Sequence, residues 1–266
     1  MEEVKKIYSC YGEYERLIRH RMEFYINLRY IKENIHDKSL KILDLGGGPG
    51  RYAVELTKAG HKVTLIDLTD FHVKEAKRLS KEEKIKLHKV QQGDALDLSS
   101  IKDDSFDVVL AMGPFYHIKK AAQRKQCINE IKRVLKNDGM LFTAHLSKCA
   151  FYKYIVREMP EVIDRFYENL IHIHSHGVKK YSDGDLFTDN TYCENAEDIL
   201  GFMKKSGFVN GEVIASEGLV DQIEDKLKEL EKSKFDMIAE LNYMFCKDPR
   251  ILNAASHLLY KGVNKK

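Results

Sequence analysis

The sequence predicts an α/β protein with a doubly wound, mostly parallel sheet, and three observations carry that prediction. Seven short apolar runs without helical spacing, at 41–45, 62–67, 85–91, 105–112, 140–146, 208–216 and 257–263, read as strands. Segments with apolar residues three and four apart separate the early runs, so strand and helix alternate. The first run breaks into Gly46-Gly-Gly-Pro-Gly50, and a helical pattern starts at once with Arg51. A strand, a glycine turn and a helix start together make a nucleotide cradle.

Taken in order, the chain opens with a helical pattern over 4–34. Tyr8, Tyr11 and Tyr14 recur there at three-residue spacing. They read either as a face packed on the sheet or as part of a lid, with Tyr11 and Tyr14 over a ligand and Arg16 or Arg19 available to a carboxylate. At the end of the first strand, Gly46, Gly48 and Gly50 lack the Cβ atoms that would hold backbone away from a ligand. A dinucleotide fingerprint wants Gly-x-Gly-x-x-Gly, whereas here the last Gly comes one residue early and Arg51 takes its place. Asp44 points away from dinucleotides too, since a carboxylate beside the turn repels a pyrophosphate and holds an ammonium group.

The second strand ends at Asp67, about twenty residues past the glycines, where a carboxylate accepts ribose hydroxyls, and Leu68 follows it. After a helix at 71–81, the third strand leads into Gly93-Asp94-Ala95, where Asp94 stands at a strand end as a ligand acceptor would, the alternative being a turn cap. The fourth strand is the strongest apolar run, and it passes through Met112 into Gly113-Pro-Phe-Tyr-His-Ile118, beyond the carboxyl end where ligands of open sheets bind. A helix at 121–136 follows, and Asn137-Asp-Gly139 breaks it before the strand at 140–146. Residues 149–170 read as helical and aromatic, and 171–190 as polar and irregular, a length typical of lids and substrate loops. A helix at 194–206, the sixth strand, a long helical stretch at 219–245 and a last strand complete the chain.

Composition narrows the function. The 266 residues, 43% hydrophobic and 32% charged, suffice for one large core with elaborations. A net charge of +3, spread among interspersed Lys and Glu, shows no basic block to track a nucleic acid. The five cysteines are far apart and form no Cys-x-x-Cys pair, as expected of reduced thiols in a cytoplasmic protein. No signal peptide or membrane-length apolar run is visible, so no membrane association is expected. His172-Ile-His-Ser-His176, if extended, would align three imidazoles for a metal, but no Cys or carboxylate ligand stands nearby at a suggestive spacing, and no metal is expected.

Asp44-x-Gly-x-Gly-x-Gly50 resembles the first motif of class I S-adenosylmethionine-dependent methyltransferases. Arg133-Val-Leu-Lys-Asn-Asp-Gly-Met140 is similar to their Arg-Val-Leu-Lys-Pro-Gly-Gly signature, with Asn137 and Asp138 replacing Pro-Gly. The resemblance implies a Rossmann-like seven-stranded sheet with an antiparallel last strand, helical lid insertions, and transfer of a methyl group from S-adenosylmethionine to a small-molecule acceptor by in-line displacement. It implies a cofactor site of Asp44, Gly46, Gly48, Gly50, Asp67, Leu68, Asp94, Ala95, Met112 and Gly113, with Tyr11 on the lid. Asp94 would accept from the adenine amino group, and the Ala95 amide would donate to the ring. His117 and Tyr116 are the candidates to orient or deprotonate the acceptor, and Phe115, His145 and His176 to bind it. The expected organisation is a helical lid at 1–36, a cofactor-binding core at 37–147, a lid or substrate insertion at 148–193, and the remaining core at 194–266 with a helical insertion at 219–255. Three other readings stay open: an RNA methyltransferase, a non-catalytic S-adenosylmethionine-binding protein, and a nicotinamide-dependent oxidoreductase on the same fold.

Overall fold

The sheet grows outward from β1 (Lys41–Leu45), whose last four residues are all buried. In the computed structural model, which describes residues 20–37, 39–182 and 191–266, β1 is flanked by two parallel neighbours, β2 (Lys62–Asp67) and β4 (Phe106–Ala111). Helices α1 (Arg21–Asn34), α2 (Arg51–Lys58) and α3 (Asp70–Glu82) precede the short edge strand β3 (Lys89–Gln92). After β4 come a single helical turn α4 (Pro114–His117), α5 (Ala121–Val134) and β5 (Leu135–Leu146). Then follow α6 (Ala150–Glu158), α7 (Ile163–His176), α8 (Ala196–Lys205) and β6 (Phe208–Ala215). Between β6 and β7 (His257–Asn264) lie a 3₁₀ turn, Gly218–Ile223, and the helices α9 (Glu224–Leu227), α10 (Lys232–Phe245) and α11 (Pro249–Leu252).

Strand order is β3-β2-β1-β4-β5-β7-β6, with β7 antiparallel to both its neighbours. Order reverses between β1 and β4, which opens a crevice at their carboxyl ends. One face of the sheet is covered by α5 and α8 through Ile128, Ile131, Ile199 and Met203, all fully buried. The other is covered by α1, α2, α3 and α10 through residues such as Ile26, Leu56, Ala76 and Ala239.

Three boundaries differ from expectation, each for a local reason. Ile85 is tied back to the end of α3, because its amide bonds to Ser80 O at 3.0 Å and Ser80 Oγ donates to Ile85 O at 2.8 Å, which delays β3 to Lys89. Asn137-Asp-Gly is a bulge inside β5, since Leu135 already pairs with Phe106 before register resumes at Met140 and Val108. The stretch at 219–245 is not one helix: α10 folds back so that Asn242 bonds both Glu217 O and the Leu219 amide across the break.

The segment at 171–190 departs from its reading only at its start, because α7 runs on through His176 before the chain becomes irregular over 177–182. His172 and His176 therefore stack one helical turn apart, 4.2 Å between ring centroids, instead of lining an extended face with His174. Tyr11, with Tyr8, Tyr14, Arg16 and Arg19, falls outside the described residues.

Candidate active site

Where β1 ends, the chain reverses over its glycines. Gly46 donates to Ile66 O at 2.7 Å, which ties the loop to the end of β2. At φ +68° a Cβ on Gly46 would stand 2.8 Å from Pro114 Cδ, so a side chain there would push the loop off the turn after β4. Gly48, at φ +54°, points its N–H at Asp67 Oδ2, 2.9 Å away. Gly50 is the N-cap of α2.

A pocket of about 680 Å³, including its solvent mouth, lies between this loop, the end of β2 and the turn after β4. Of the residues predicted from sequence, Gly46, Gly48, Asp67, Leu68, Ala95 and Gly113 meet in its wall, joined by Tyr116 and His117. Pro114, of the turn read as facing the ligand, also lines it, as do Thr69, His72 and Gly93, which were not foreseen. Thr69 was the legible one, a threonine just ahead of a helical pattern. Asp44, Gly50, Asp94 and Met112 are set back from the wall. Asp94 accepts from the Leu96 amide at 2.9 Å through Oδ1, the contact of a turn cap, which was the alternative to its reading as a cofactor residue.

Two buried carboxylates bracket the loop. Asp44 is fully buried, and neither of its oxygens has a hydrogen-bond partner among the described residues. Burial, then the negative charge of Asp67, pushes its pKa up to about 7, although the Ala53 backbone amide pulls the other way. Its carboxyl group lies under Gly47, where a Cβ would come within 2.7 Å of it. Asp67 behaves oppositely. Burial alone would raise it, but His72 and the amides of Thr69 and Gly48 together hold it below the usual carboxylate range. The glycine loop thus lies between a carboxylate held ionised in the pocket wall, Asp67, and one buried behind it, Asp44, that is poised to change state.

The acceptor candidates divide. Tyr116 and His117 face the pocket on α4, their rings 4.6 Å apart, and Arg124 braces that turn by donating to Ile118 O at 3.0 Å and Lys119 O at 2.8 Å. Phe115 points the other way from the same turn and is wholly buried in the core, so it is not placed to bind an acceptor. His145 is also buried, its Nδ1 2.9 Å from Glu194 and its Nε2 2.7 Å from Thr143 Oγ1, which fixes the end of β5 and takes the ring out of the pocket. His176 sits exposed at the end of α7. Among the described residues no group of three or more His, Cys, Asp or Glu side chains is arranged to hold a metal ion.

A family model described as a methyltransferase domain matches residues 36–188. The chain belongs to the class I S-adenosylmethionine-dependent methyltransferases. Its methyl donor is S-adenosylmethionine. The methyltransferase is 32% identical over 136 residues to a ubiquinone biosynthesis O-methyltransferase of Pelagibacter ubique, covering 46% of this chain and 53% of that one. It spans about half the length of the curated relatives it matches. In fold it is similar to a Thermotoga maritima methyltransferase described as a possible histamine N-methyltransferase, at 19% identity and a TM-score of 0.62, covering 97% of this chain and 98% of that one. A Haemonchus contortus phosphoethanolamine N-methyltransferase, solved with S-adenosylmethionine, aligns at 18% identity and a TM-score of 0.53 over 92% of this chain and 53% of its own.

Further along the carboxyl edge the methyltransferase carries two Glu–His pairs that no local motif announces. His257 Nδ1 lies 2.6 Å from Glu217, and His20 Nδ1 2.8 Å from Glu224, with the two imidazoles edge to face at 6.0 Å. The carboxylates are almost fully buried and the imidazoles partly exposed, so each Glu orients a His from behind. Burial raises Glu217 to about 7, with His257 opposing and Asp221 and Glu23 adding to the rise. Strand β7 lies two positions from β4, about 10 Å at ordinary interstrand spacing, which is within the span of a small molecule. No helix among the described residues is long and apolar enough to cross a membrane.

Proposed function

We propose that this pocket holds S-adenosylmethionine and that the enzyme methylates a small-molecule acceptor bound over α4. The observation that carries the reading is the joining of a tight glycine loop to two buried carboxylates of opposite tendency at the switch point of the sheet. The residues fit the cofactor. The unpartnered Asp44 carboxylate suits the ammonium of its amino-acid tail, Asp67 suits the ribose, and Leu68, Gly93 and Ala95 suit a flat base. Bound there, the sulfonium supplies an electrophilic methyl group. What this chain must add is alignment, which contributes about 7–11 kcal/mol in well-oriented reactions.

Tyr116 and His117 are the groups placed to do this from the pocket wall. Tyr116 donates or accepts through its hydroxyl, and His117 takes the acceptor's proton where that proton must leave. The acceptor's far side extends toward His257 and His20. The similarity to a ubiquinone biosynthesis O-methyltransferase of Pelagibacter ubique supports a small organic acceptor. The described cysteines, all without disulfides, fit a cytoplasmic location.

Incubating the protein with isotope-labelled S-adenosylmethionine and a metabolite extract is expected to yield a labelled small molecule over many turnovers. Label appearing only in RNA, or binding without turnover, would replace this reading. With the acceptor in hand, His117→Ala and Tyr116→Phe should each lower kcat by at least about tenfold and leave cofactor affinity nearly unchanged. Normal kcat in both variants would place the acceptor elsewhere on the edge.

A further inference from the structure

We propose that His72 is a positioning residue of the cofactor site: its imidazole locks the Asp67 carboxylate so that Oδ2 is presented to the ribose hydroxyls. The inference rests on the reading of Asp67 as the ribose acceptor. Its starting point is the short stretch Asp67-Leu-Thr-Asp-Phe-His72, where β2 passes into α3.

Thr69 caps that helix by accepting the His72 amide at 3.2 Å, and the cap sets the first turn. With the turn fixed, the His72 ring comes back over the strand end, its Nδ1 3.2 Å from Asp67 Oδ1. The same oxygen takes the Thr69 amide at 2.9 Å and the Thr69 hydroxyl at 3.0 Å. Three donors crowd the two lone-pair directions of Oδ1 and leave none for a ligand. Oδ2 takes the Gly48 amide at 2.9 Å and keeps a second acceptor direction. The carboxylate therefore bridges glycine loop and helix, with its remaining lone pair on the oxygen that reaches the loop.

Of these donors, His72 is the side chain that can be removed without disturbing the helix cap. It and Asp67 are nearly buried, 5% and 8% exposed, so water does not readily replace a lost donor. The charged neighbours make the contact matter more. Asp44 lies close enough for its charge to be felt by Asp67, and Glu75 faces His72 from the next turn of α3. Two neighbouring carboxylates repel one another, and the imidazole favours ionisation of Asp67, the one that lines the pocket and meets the ribose. Nδ1 donates both in the matching neutral tautomer and in the protonated ring, so the role needs only an N–H at that position.

The test is calorimetric, with S-adenosylhomocysteine and its 2′,3′-dideoxy analogue as the two probes. His72→Ala is expected to weaken S-adenosylhomocysteine about tenfold, the scale for one hydrogen bond to a charged acceptor, and the dideoxy analogue less than about twofold. His72→Asn, whose amide nitrogen falls near Nδ1, should stay within about threefold of wild type. Should His72→Ala unfold, His72→Phe keeps the ring volume and carries the same expectation. Equal losses on both probes, or an Asn variant as weak as Ala, would mean that His72 only supports the fold. Asp67→Asn separates the layers: an unchanged affinity there overturns the ribose reading itself. A loss there with none in His72→Ala or His72→Phe overturns this inference alone.

Discussion

Gly48→Val is expected to lose S-adenosylmethionine binding by more than about a hundredfold, roughly 2.7 kcal/mol, while the protein stays folded. Gly48 lines the pocket and sits at φ +54°, so a branched Cβ both enters ligand space and strains the backbone. The strain costs about 1–2 kcal/mol, below the usual total stability of about 5–15 kcal/mol, so unfolding is not the expected outcome. The Gly48 amide also holds Asp67 Oδ2, and a shifted loop would lose that contact as well. Gly60 supplies the control. It has φ +95° and open space where a Cβ would go, far from the pocket wall, so Gly60→Ala carries strain without steric intrusion. Calorimetry should show normal affinity in Gly60→Ala and none measurable in Gly48→Val, with both variants melting cooperatively. Near-normal binding by Gly48→Val would move the cofactor off this loop.

A milder substitution tests the second strand end. Asp67→Ala should weaken the cofactor by about 1.5–3 kcal/mol, the scale for losing a charged acceptor, with Thr69 and His72 left to find other partners. Wild-type affinity in that variant would remove Asp67 from the ribose.

The loop and strand ends of the proposed cofactor site were legible in the sequence because those residues sit within a few positions of a strand end. Asp44, Gly46, Gly48, Asp67 and Gly113 need only the alternation of strand and helix to be brought together. Reading Phe115 as an acceptor contact failed for a reason of geometry. Gly113-Pro-Phe-Tyr-His becomes a helical turn, which sends Phe115 into the core and leaves Tyr116 and His117 at the pocket. His145 looked available at the end of a strand, but Glu194 is 49 residues on in sequence and only folding shows that it closes over the ring. The same holds for the far edge, where Glu217 and His257 are 40 residues apart and His20 and Glu224 are 204 apart. No spacing rule reaches across such separations.

Cofactor affinity is expected to rise with pH up to about 7 and to level off above it, and Asp44 is the cause. Without a cation beside it, burial and the charge of Asp67 hold this carboxyl at about 7, against an ordinary value of 3.8. A group whose folded pKa lies above its unfolded one favours the fold at low pH and loses that contribution as pH rises through the folded value. The ligand-free protein should therefore lose stability between about pH 4 and 7, by at most about 4 kcal/mol for a shift of roughly three units. Glu217, also raised to about 7 by burial, acts with the same sign, so the melting curve alone does not single out Asp44. Ligand binding does. An ammonium group near Asp44 pulls its pKa down, so binding below pH 7 releases a proton and affinity climbs by at most about tenfold per unit. Above pH 7 the carboxylate is already ionised and the slope vanishes. S-adenosylhomocysteine should show this profile, and 5′-methylthioadenosine, which lacks the amino-acid tail, should bind with no slope. Asp44→Asn should flatten the profile for S-adenosylhomocysteine at a reduced affinity and make the ligand-free protein more stable above pH 7. An affinity that does not change with pH in the wild type, or a slope that survives in Asp44→Asn, would show that this carboxylate does not meet the cofactor's ammonium.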